Sequence, residues 1–419
     1  MIKITPKKIK TNLVTIPGSK SYTHRFLIIS ALSNGRCSLI NPLKSEDTLL
    51  TLSALKNLGI NISEQDNKII INGTSGKIYA PSSPLYLKGS GTSMRLLTAV
   101  CAIGEGKFTL TGNKALCSRP IDDLISALTQ IGVLINCPIK RGFPPLEIIG
   151  NKNIADGKVN IKAGKSSQYL SALLMIAPYT KKGLHITVTD EPVSKPYIDI
   201  TIEAMQRAGV KIEREGYKNF LIKGEQTYKN GTYNIEPDAS AAGYFWAAAA
   251  ITKSSVTVNN LNKKSKQGDI NFPKILEQMG CKIKYTNNGI TVIGADITGI
   301  KADMSDMPDM VPTLAIVAAF AKGETIIKNV GHLKIKESDR LTAMETELNK
   351  IGIKAKAFED KLIIKGGKPK SAAIKTYDDH RIAMSFAIAG LKTDDIIITD
   401  EKCVDKSFPD FWKIFQKLD

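Results

Sequence analysis

A repeat of about 71 residues runs through the chain and constrains its fold more than any other feature. Helical segments end in Gly and pass into short strands at Leu58-Gly59-Ile60-Asn61-Ile62, Ile131-Gly132-Val133, Ala208-Gly209-Val210-Lys211-Ile212, Met279-Gly280-Cys281-Lys282-Ile283 and Ile351-Gly352-Ile353. These glycines are 73, 77, 71 and 72 residues apart. Gly just past a helix enters the left-handed conformation at little cost and so caps it. A second helix type, apolar and Ala-rich, begins near Ser21, Gly91, Ser166, Asp238, Asp309 and Asp379, at steps of 70, 75, 72, 71 and 70. Each is followed by a polar turn and a β-branched strand, as at Gly106-Lys107-Phe108-Thr109-Leu110 and Gly323-Glu324-Thr325-Ile326-Ile327.

Six such units predict an α/β fold of two domains, each made of three repeated βαβαββ-like units, joined by two crossover segments. The Gly-terminated helix reaches six copies only if Phe408 to Asp419 is counted, and the chain ends before a strand can follow it. Ile2 to Ile9 is expected to supply that strand, closing the sixth unit circularly. One domain is then continuous, residues 17–236, holding units one to three. The other is discontinuous, residues 1–16 plus 237–419, holding units four to six. The crossings fall near Pro17-Gly18 and Glu236-Pro237.

Composition narrows the function. The net charge of +18 suits either nucleic acid or a small anionic substrate. Of 58 basic residues 49 are Lys, which reads as a compositional bias, so the nine Arg are more informative. A nucleic-acid binder needs a basic stripe interleaved with aromatics, yet aromatics are only 6% and no such stripe is present. Six cysteines (37, 101, 117, 137, 281 and 403) are scattered without a Cys-x-x-Cys pair, which points to reduced thiols and a cytoplasmic setting. The N-terminus has no apolar leader, and the longest apolar runs are too short to span a membrane.

The starts of the repeated helices are polar for elements with such apolar bodies. They carry Ser21 and Arg25; Thr92 and Arg95; Ser166, Ser167 and Gln168; Asp238 and Ser240; Asp309; and His380 with Arg381. The Gly-terminated helices open with a cation and an acid: Lys44/Asp47, Arg119/Asp122, Lys195/Asp199, Lys266/Asp269, Lys336/Asp339 and Lys406/Asp410. Helix starts bind phosphate and carboxylate through free N–H groups and the dipole. For Asp238 or Thr92 alone an N-cap is the simpler reading. Capping does not explain Arg25, Arg119, Arg340 and Arg381, since a cation there opposes the dipole; bound anions would. Pro17-Gly18-Ser19-Lys20-Ser21 fails the P-loop spacing, and Asp303, Asp306 and Asp309 read as a turn rather than a metal site, so no metal is expected.

These residues carry a resemblance over essentially the whole chain. Pro17-Gly18-Ser19-Lys20-Ser21 with Arg25, Gly91-Thr92-Ser93-Met94-Arg95, Arg119-Pro120-Ile121 and Ser166-Ser167-Gln168 resemble signatures of the EPSP synthase family. So do Ser194-Lys195-Pro196-Tyr197-Ile198-Asp199, Pro308-Asp309, Lys336-Glu337-Ser338-Asp339-Arg340, Asp379-His380-Arg381 and Lys406-Ser407-Phe408-Pro409. The resemblance implies the enolpyruvyl transferase fold and carboxyvinyl transfer from phosphoenolpyruvate to shikimate 3-phosphate, without a cofactor. By motif, Lys20, Ser21, Arg25, Ser166, Ser167, Gln168, Ser194, Asp309, His332 and Lys336 would hold shikimate 3-phosphate, His332 standing where Asn is frequent. Lys20, Gly91, Arg119, Gln168, Arg340, Arg381 and Lys406 would hold phosphoenolpyruvate. Asp309, Glu337 and Lys20 are the proton-transfer candidates. Shikimate 3-phosphate is expected to bind first and favour domain closure, and glyphosate to compete with phosphoenolpyruvate beside Gly91. The small-molecule substrates are the expected partners, with no nucleic acid or membrane, and the chain is expected to be a monomer. The alternative is the UDP-N-acetylglucosamine enolpyruvyl transferase, for which Cys117, two residues before Arg119, is the candidate reactive cysteine.

Overall fold

The computed structural model describes residues 1–10, 13–151, 154 and 157–418. It is mixed α/β, and its contacts divide the chain into two compact units, Gly18–Ile235 and Met1–Pro17 with Glu236–Asp419. Each unit has its own apolar core.

The Ala-rich helices are Lys20–Leu32, Gly91–Ala102, Ser167–Ile176, Ala239–Thr252, Val311–Ala319 and His380–Ala389. They are apolar on every face and therefore lie inside the cores. All residues of Val311–Ala319 are buried, as are 12 of the 14 in Ala239–Thr252. Small side chains let these helices approach one another closely. A Cβ added at Gly243 would meet Met310 Sδ at 2.3 Å, so this glycine admits the turn that carries Asp309.

The Gly-terminated helices are Glu46–Asn57, Asp122–Gln130, Pro196–Arg207, Phe272–Gln278, Arg340–Lys350 and Phe411–Gln416. Gly59, Gly132, Gly209, Gly280 and Gly352 have φ of 85°, 85°, 85°, 119° and 79°, the left-handed turn that the repeat requires.

Among the described residues six sheets accompany the helices, five of four strands and one of three. Their common plan is a parallel pair continued by an antiparallel hairpin, as in Lys301–Asp303 beside Glu324–Lys328, then Lys361–Lys365 and Lys354–Ala357. Two sheets borrow their parallel strand from far along the chain. Thr232–Asn234 joins Arg36–Ile40, and Leu13–Val14 joins Ser255–Asn259. The three-stranded sheet pairs Ile2–Ile4 with Ile396–Ile398, which runs parallel to Ala372–Ile374. The N-terminus thus completes the last unit, but as three residues rather than Ile2 to Ile9. Pro6, which has no N–H and a fixed φ, lies two residues past the end of the strand. Among the described residues all six cysteines are free, and no helix is long and apolar enough to cross a membrane.

Candidate active site

In Gly18–Ile235, the polar groups gather at the starts of Lys20–Leu32, Gly91–Ala102 and Ser167–Ile176. Lys20 is ion-paired with Asp47, whose side chain is 4% exposed. Arg25 is nearly fully buried. Its Nε donates to Thr201 Oγ1 (2.7 Å), Nη1 to Ser21 O (2.9 Å), and Nη2 to Tyr197 O (3.0 Å) and Ser171 Oγ (3.3 Å). Every one of these acceptors is neutral. Burial pulls the guanidinium down to about 10, with no carboxylate beside it among the described residues. A buried cation without a counter-charge is costly and well placed to receive an anion.

In the same unit Ser166, Ser167 and Ser194 are all at most 6% exposed. Ser166 caps its helix through Gln168 N–H (3.3 Å). Ser194 has φ of 54°, unusual for a residue with a side chain, and its buried Oγ has no hydrogen-bond partner among the described residues. Gln168 is fixed at both ends: Oε1 accepts from Arg95 Nη1 (2.7 Å) and Nε2 donates to Thr92 Oγ1 (3.0 Å). Gly91 gives room to Arg119, because a Cβ there would lie 2.8 Å from Arg119 Nη1.

In Met1–Pro17 with Glu236–Asp419, a second set forms around Arg340, the first residue of its helix. Its side chain is 2% exposed and meets three carboxylates: Nη1 to Asp309 (2.9 Å), Nη2 to Glu337 (2.8 Å) and Nε to Asp379 (2.8 Å). Arg381 Nη2 reaches the other oxygen of Asp309 at 2.7 Å, and Nη1 donates to Tyr244 Oη at 3.2 Å. Burial would raise the Asp309 carboxyl, but Arg381, Arg340 and Lys336 outweigh it and hold it well below the usual carboxylate range. Burial, then Lys336, lowers His332 to about 3, so its imidazole is neutral beside this cluster. Lys406 ends the 3₁₀ turn Glu401–Lys406, which packs on His380–Ala389.

The first set offers buried hydroxyls, an amide and cations, which suits a phosphorylated polyol. The second offers forked guanidiniums and ionised carboxylates, which suits anion binding together with proton transfer. The family model for EPSP synthase (3-phosphoshikimate 1-carboxyvinyltransferase) matches residues 4–415. The chain belongs to the EPSP synthase family. It is 40% identical over 413 residues to the 3-phosphoshikimate 1-carboxyvinyltransferase of Syntrophobacter fumaroxidans, covering 98% of this chain and 97% of the relative. A Marinomonas relative of the same name is 41% identical, covering 100% and 99%. A solved EPSP synthase structure from Acinetobacter baumannii superposes with a TM-score of 0.84 at 29% identity, covering 99% of this chain and 97% of that one.

For this member of the EPSP synthase family, two readings of the helix starts change. Asp238 is an N-cap, accepting from Ala241 N–H at 2.9 Å, but Thr92 is not; Ser90 caps that helix, leaving Thr92 to hold Gln168. The cations at Arg340 and Arg381 do not by themselves demand a bound anion, since Asp309, Glu337 and Asp379 already face them. Arg25 keeps that argument intact, because the acceptors it meets are all neutral. Cys117 Sγ donates to Gly112 O at 3.6 Å at the end of the short helix Lys114–Cys117, and the family match does not favour the UDP-N-acetylglucosamine alternative.

Sequence reasoning left out Tyr244, Asp379, Asp47 and Asp269 as site residues. Asp379 and Asp47 lay within motifs as N-cap or helix-start acids, and only their partners 39 and 27 residues away give them further roles. Tyr244 sat in an apolar run and gave no signal.

Asp269 is buried, bonded to Ser240 Oγ through one oxygen, while the other has no hydrogen-bond partner among the described residues. Burial, then Asp309, raises its carboxyl; Arg381 and Ser240 pull the other way, and Asp238 adds to the rise. A raised value in the folded protein means that folding keeps a proton which the unfolded chain releases above about pH 4. The stability penalty is therefore absent in acid, grows as pH rises, and is complete above the raised value. Asp269→Asn, which keeps the shape without the charge, should leave stability near pH 4 unchanged and increase it at pH 8 by about 1–3 kcal/mol. Thermal melts across that range check this; a lower midpoint at pH 8 would mean that ionised Asp269 is well paired.

Proposed function

We propose that this chain transfers the enolpyruvyl group of phosphoenolpyruvate to the 5-hydroxyl of shikimate 3-phosphate, releasing phosphate. The observation that carries the reading is the family match over residues 4–415. The two polar sets fit the two substrates in chemistry.

Shikimate 3-phosphate is held by Ser21, Arg25, Ser166, Ser167, Gln168, Ser194, His332 and Lys336, with Asp309 and Lys20 toward its reacting hydroxyl. The absence of a carboxylate at Arg25 supports its assignment to the phosphate. The unused hydroxyl of Ser194 supports a ligand contact there. Phosphoenolpyruvate, small and highly anionic, is held by Lys20, Gly91, Arg119, Gln168, Arg340, Arg381 and Lys406.

In the reaction the 5-hydroxyl oxygen forms a bond to C2 of phosphoenolpyruvate and gives up its proton, while C3 gains a proton to become a methyl group. The tetrahedral species then loses phosphate from C2 and a proton from C3, restoring the double bond. A base is needed for the hydroxyl, and an acid that later turns base is needed for C3. Asp309, kept ionised by its arginines, suits the first task. Glu337 and Lys20 are the remaining carriers. The free thiols support a cytosolic setting, and we take the working unit to be a monomer.

Phosphate release tests the reading. Phosphate should appear only when both substrates are present, and chelator should not change the rate. Loss of activity in chelator with recovery in Mg²⁺ would overturn the metal-free reaction.

A further inference from the structure

Three polar side chains lie where three helices of Gly18–Ile235 pack together, and the reaction uses none of them. His24 on Lys20–Leu32, Thr51 on Glu46–Asn57 and Ser93 on Gly91–Ala102 are all 0% exposed. His24 Nδ1 lies 2.8 Å from Thr51 Oγ1, and Thr51 Oγ1 lies 2.7 Å from Ser93 Oγ. Ser93 Oγ in turn is 3.3 Å from the backbone oxygen of Asp47 and 2.8 Å from Ser90 Oγ, the cap of Gly91–Ala102. Leu, Val or Ala at these positions would pack without any desolvation cost. A continuous polar chain in such a place imposes one arrangement on the groups that it joins.

The direction of the chain follows from its loose end. His24 Nε2 is buried with no hydrogen-bond partner among the described residues. A buried N–H left without an acceptor is rarer than a bare lone pair, so the proton sits on Nδ1. Nδ1–H donates to Thr51, the Thr51 hydroxyl to Ser93, and the Ser93 hydroxyl to the carbonyl of Asp47. Burial holds His24 at about 3, the nearby charges being Asp47, Lys20 and Arg25, so the ring is neutral and the direction does not reverse at working pH.

We infer that His24, Thr51 and Ser93 are positioning residues: a one-way hydrogen-bond relay that fixes Asp47, and through it Lys20, while holding the turn before Gly91. The relay ends on the backbone of the residue whose carboxylate is ion-paired with Lys20. It also bonds the cap that starts the helix at Gly91, against which Arg119 packs. One chain of hydroxyls thus sets two elements assigned to binding and proton transfer. The inference rests on the carboxyvinyl-transfer reading only for its activity readout.

Thr51→Val keeps the shape and removes the middle link, and Thr51→Ser keeps the link. Thr51→Val should lower kcat by roughly tenfold to a hundredfold, more than it raises KM for shikimate 3-phosphate, with a thermal midpoint close to that of the parent. Thr51→Ser should recover most of the lost kcat. Ser93→Ala cuts the next link and should reproduce the loss, which covers the case in which Thr51→Val folds poorly. Equal turnover in Thr51→Val and the parent, or an equal loss in Thr51→Ser, would overturn the relay. A parent protein that releases no phosphate from the two substrates would instead overturn the reaction itself.

Discussion

Asp309→Ala is expected to lower turnover by roughly 100-fold or more, with Glu337→Gln giving a loss of the same order. Asp309 lies between two guanidiniums, 2.9 Å from Arg340 and 2.7 Å from Arg381. Its carboxylate therefore stays ionised and can accept a proton only as charge moves in the reacting complex. Removing it also leaves two cations facing each other, so part of any loss could be structural. Asp309→Asn separates the two effects, because it preserves volume and can still accept a hydrogen bond while being unable to take a proton. If proton transfer is the role, Asn and Ala lose turnover alike, while phosphoenolpyruvate affinity holds. Near-normal turnover with weakened binding in either variant would reassign Asp309 to positioning. Glu337 meets Arg340 Nη2 at 2.8 Å, and Glu337→Gln keeps its shape and an acceptor oxygen for that contact, so it should fold as the parent does and provides the cleaner kinetic comparison.

The parts of this architecture that were legible in the sequence are those set by local rules. Gly59 through Gly352 could be read because a helix stop needs a left-handed residue within one turn of it, whatever the rest of the chain does. The Ala-rich helices could be read because a helix with no polar face has to be buried. Ile2 was placed in the last unit by counting strands, although its length was not, since Pro6 governs where pairing stops. The partners were not legible. Arg340 was read as a cation waiting for a ligand because its neutralising groups, Asp309 and Asp379, lie 31 and 39 residues away. Spacing along one helix says nothing about which other helix start comes to rest against it. The same limit hid the His24–Thr51–Ser93 chain, whose three members look like ordinary interior residues of three separate helices. Ser90 was missed as a cap for a smaller reason, since Thr92 and Ser90 are both competent oxygens and only the backbone geometry decides between them.

Arg381→Ala should weaken phosphoenolpyruvate binding by roughly 2–5 kcal/mol, the range for removing one member of a buried, hydrogen-bonded charge pair. Arg381 is 7% exposed, so water does not readily replace its guanidinium. It is held in orientation by Asp309 and Tyr244, and Asp309 also meets Arg340. A dianionic or trianionic ligand is attracted to this cation, and the energetic consequence is large because the group is already desolvated and fixed. Arg381→Lys keeps the charge but loses the fork that spans Asp309 and Tyr244, so it should recover only part of the affinity. Shikimate 3-phosphate affinity should change far less, since the proposed assignment gives that anion to Arg25 and the serines. Titration calorimetry on parent, Ala and Lys variants, with melts to confirm folding, measures all three quantities. An unchanged apparent affinity for phosphoenolpyruvate in Arg381→Ala would remove this residue from the binding set. It would also show that its contact with Asp309 serves the fold alone.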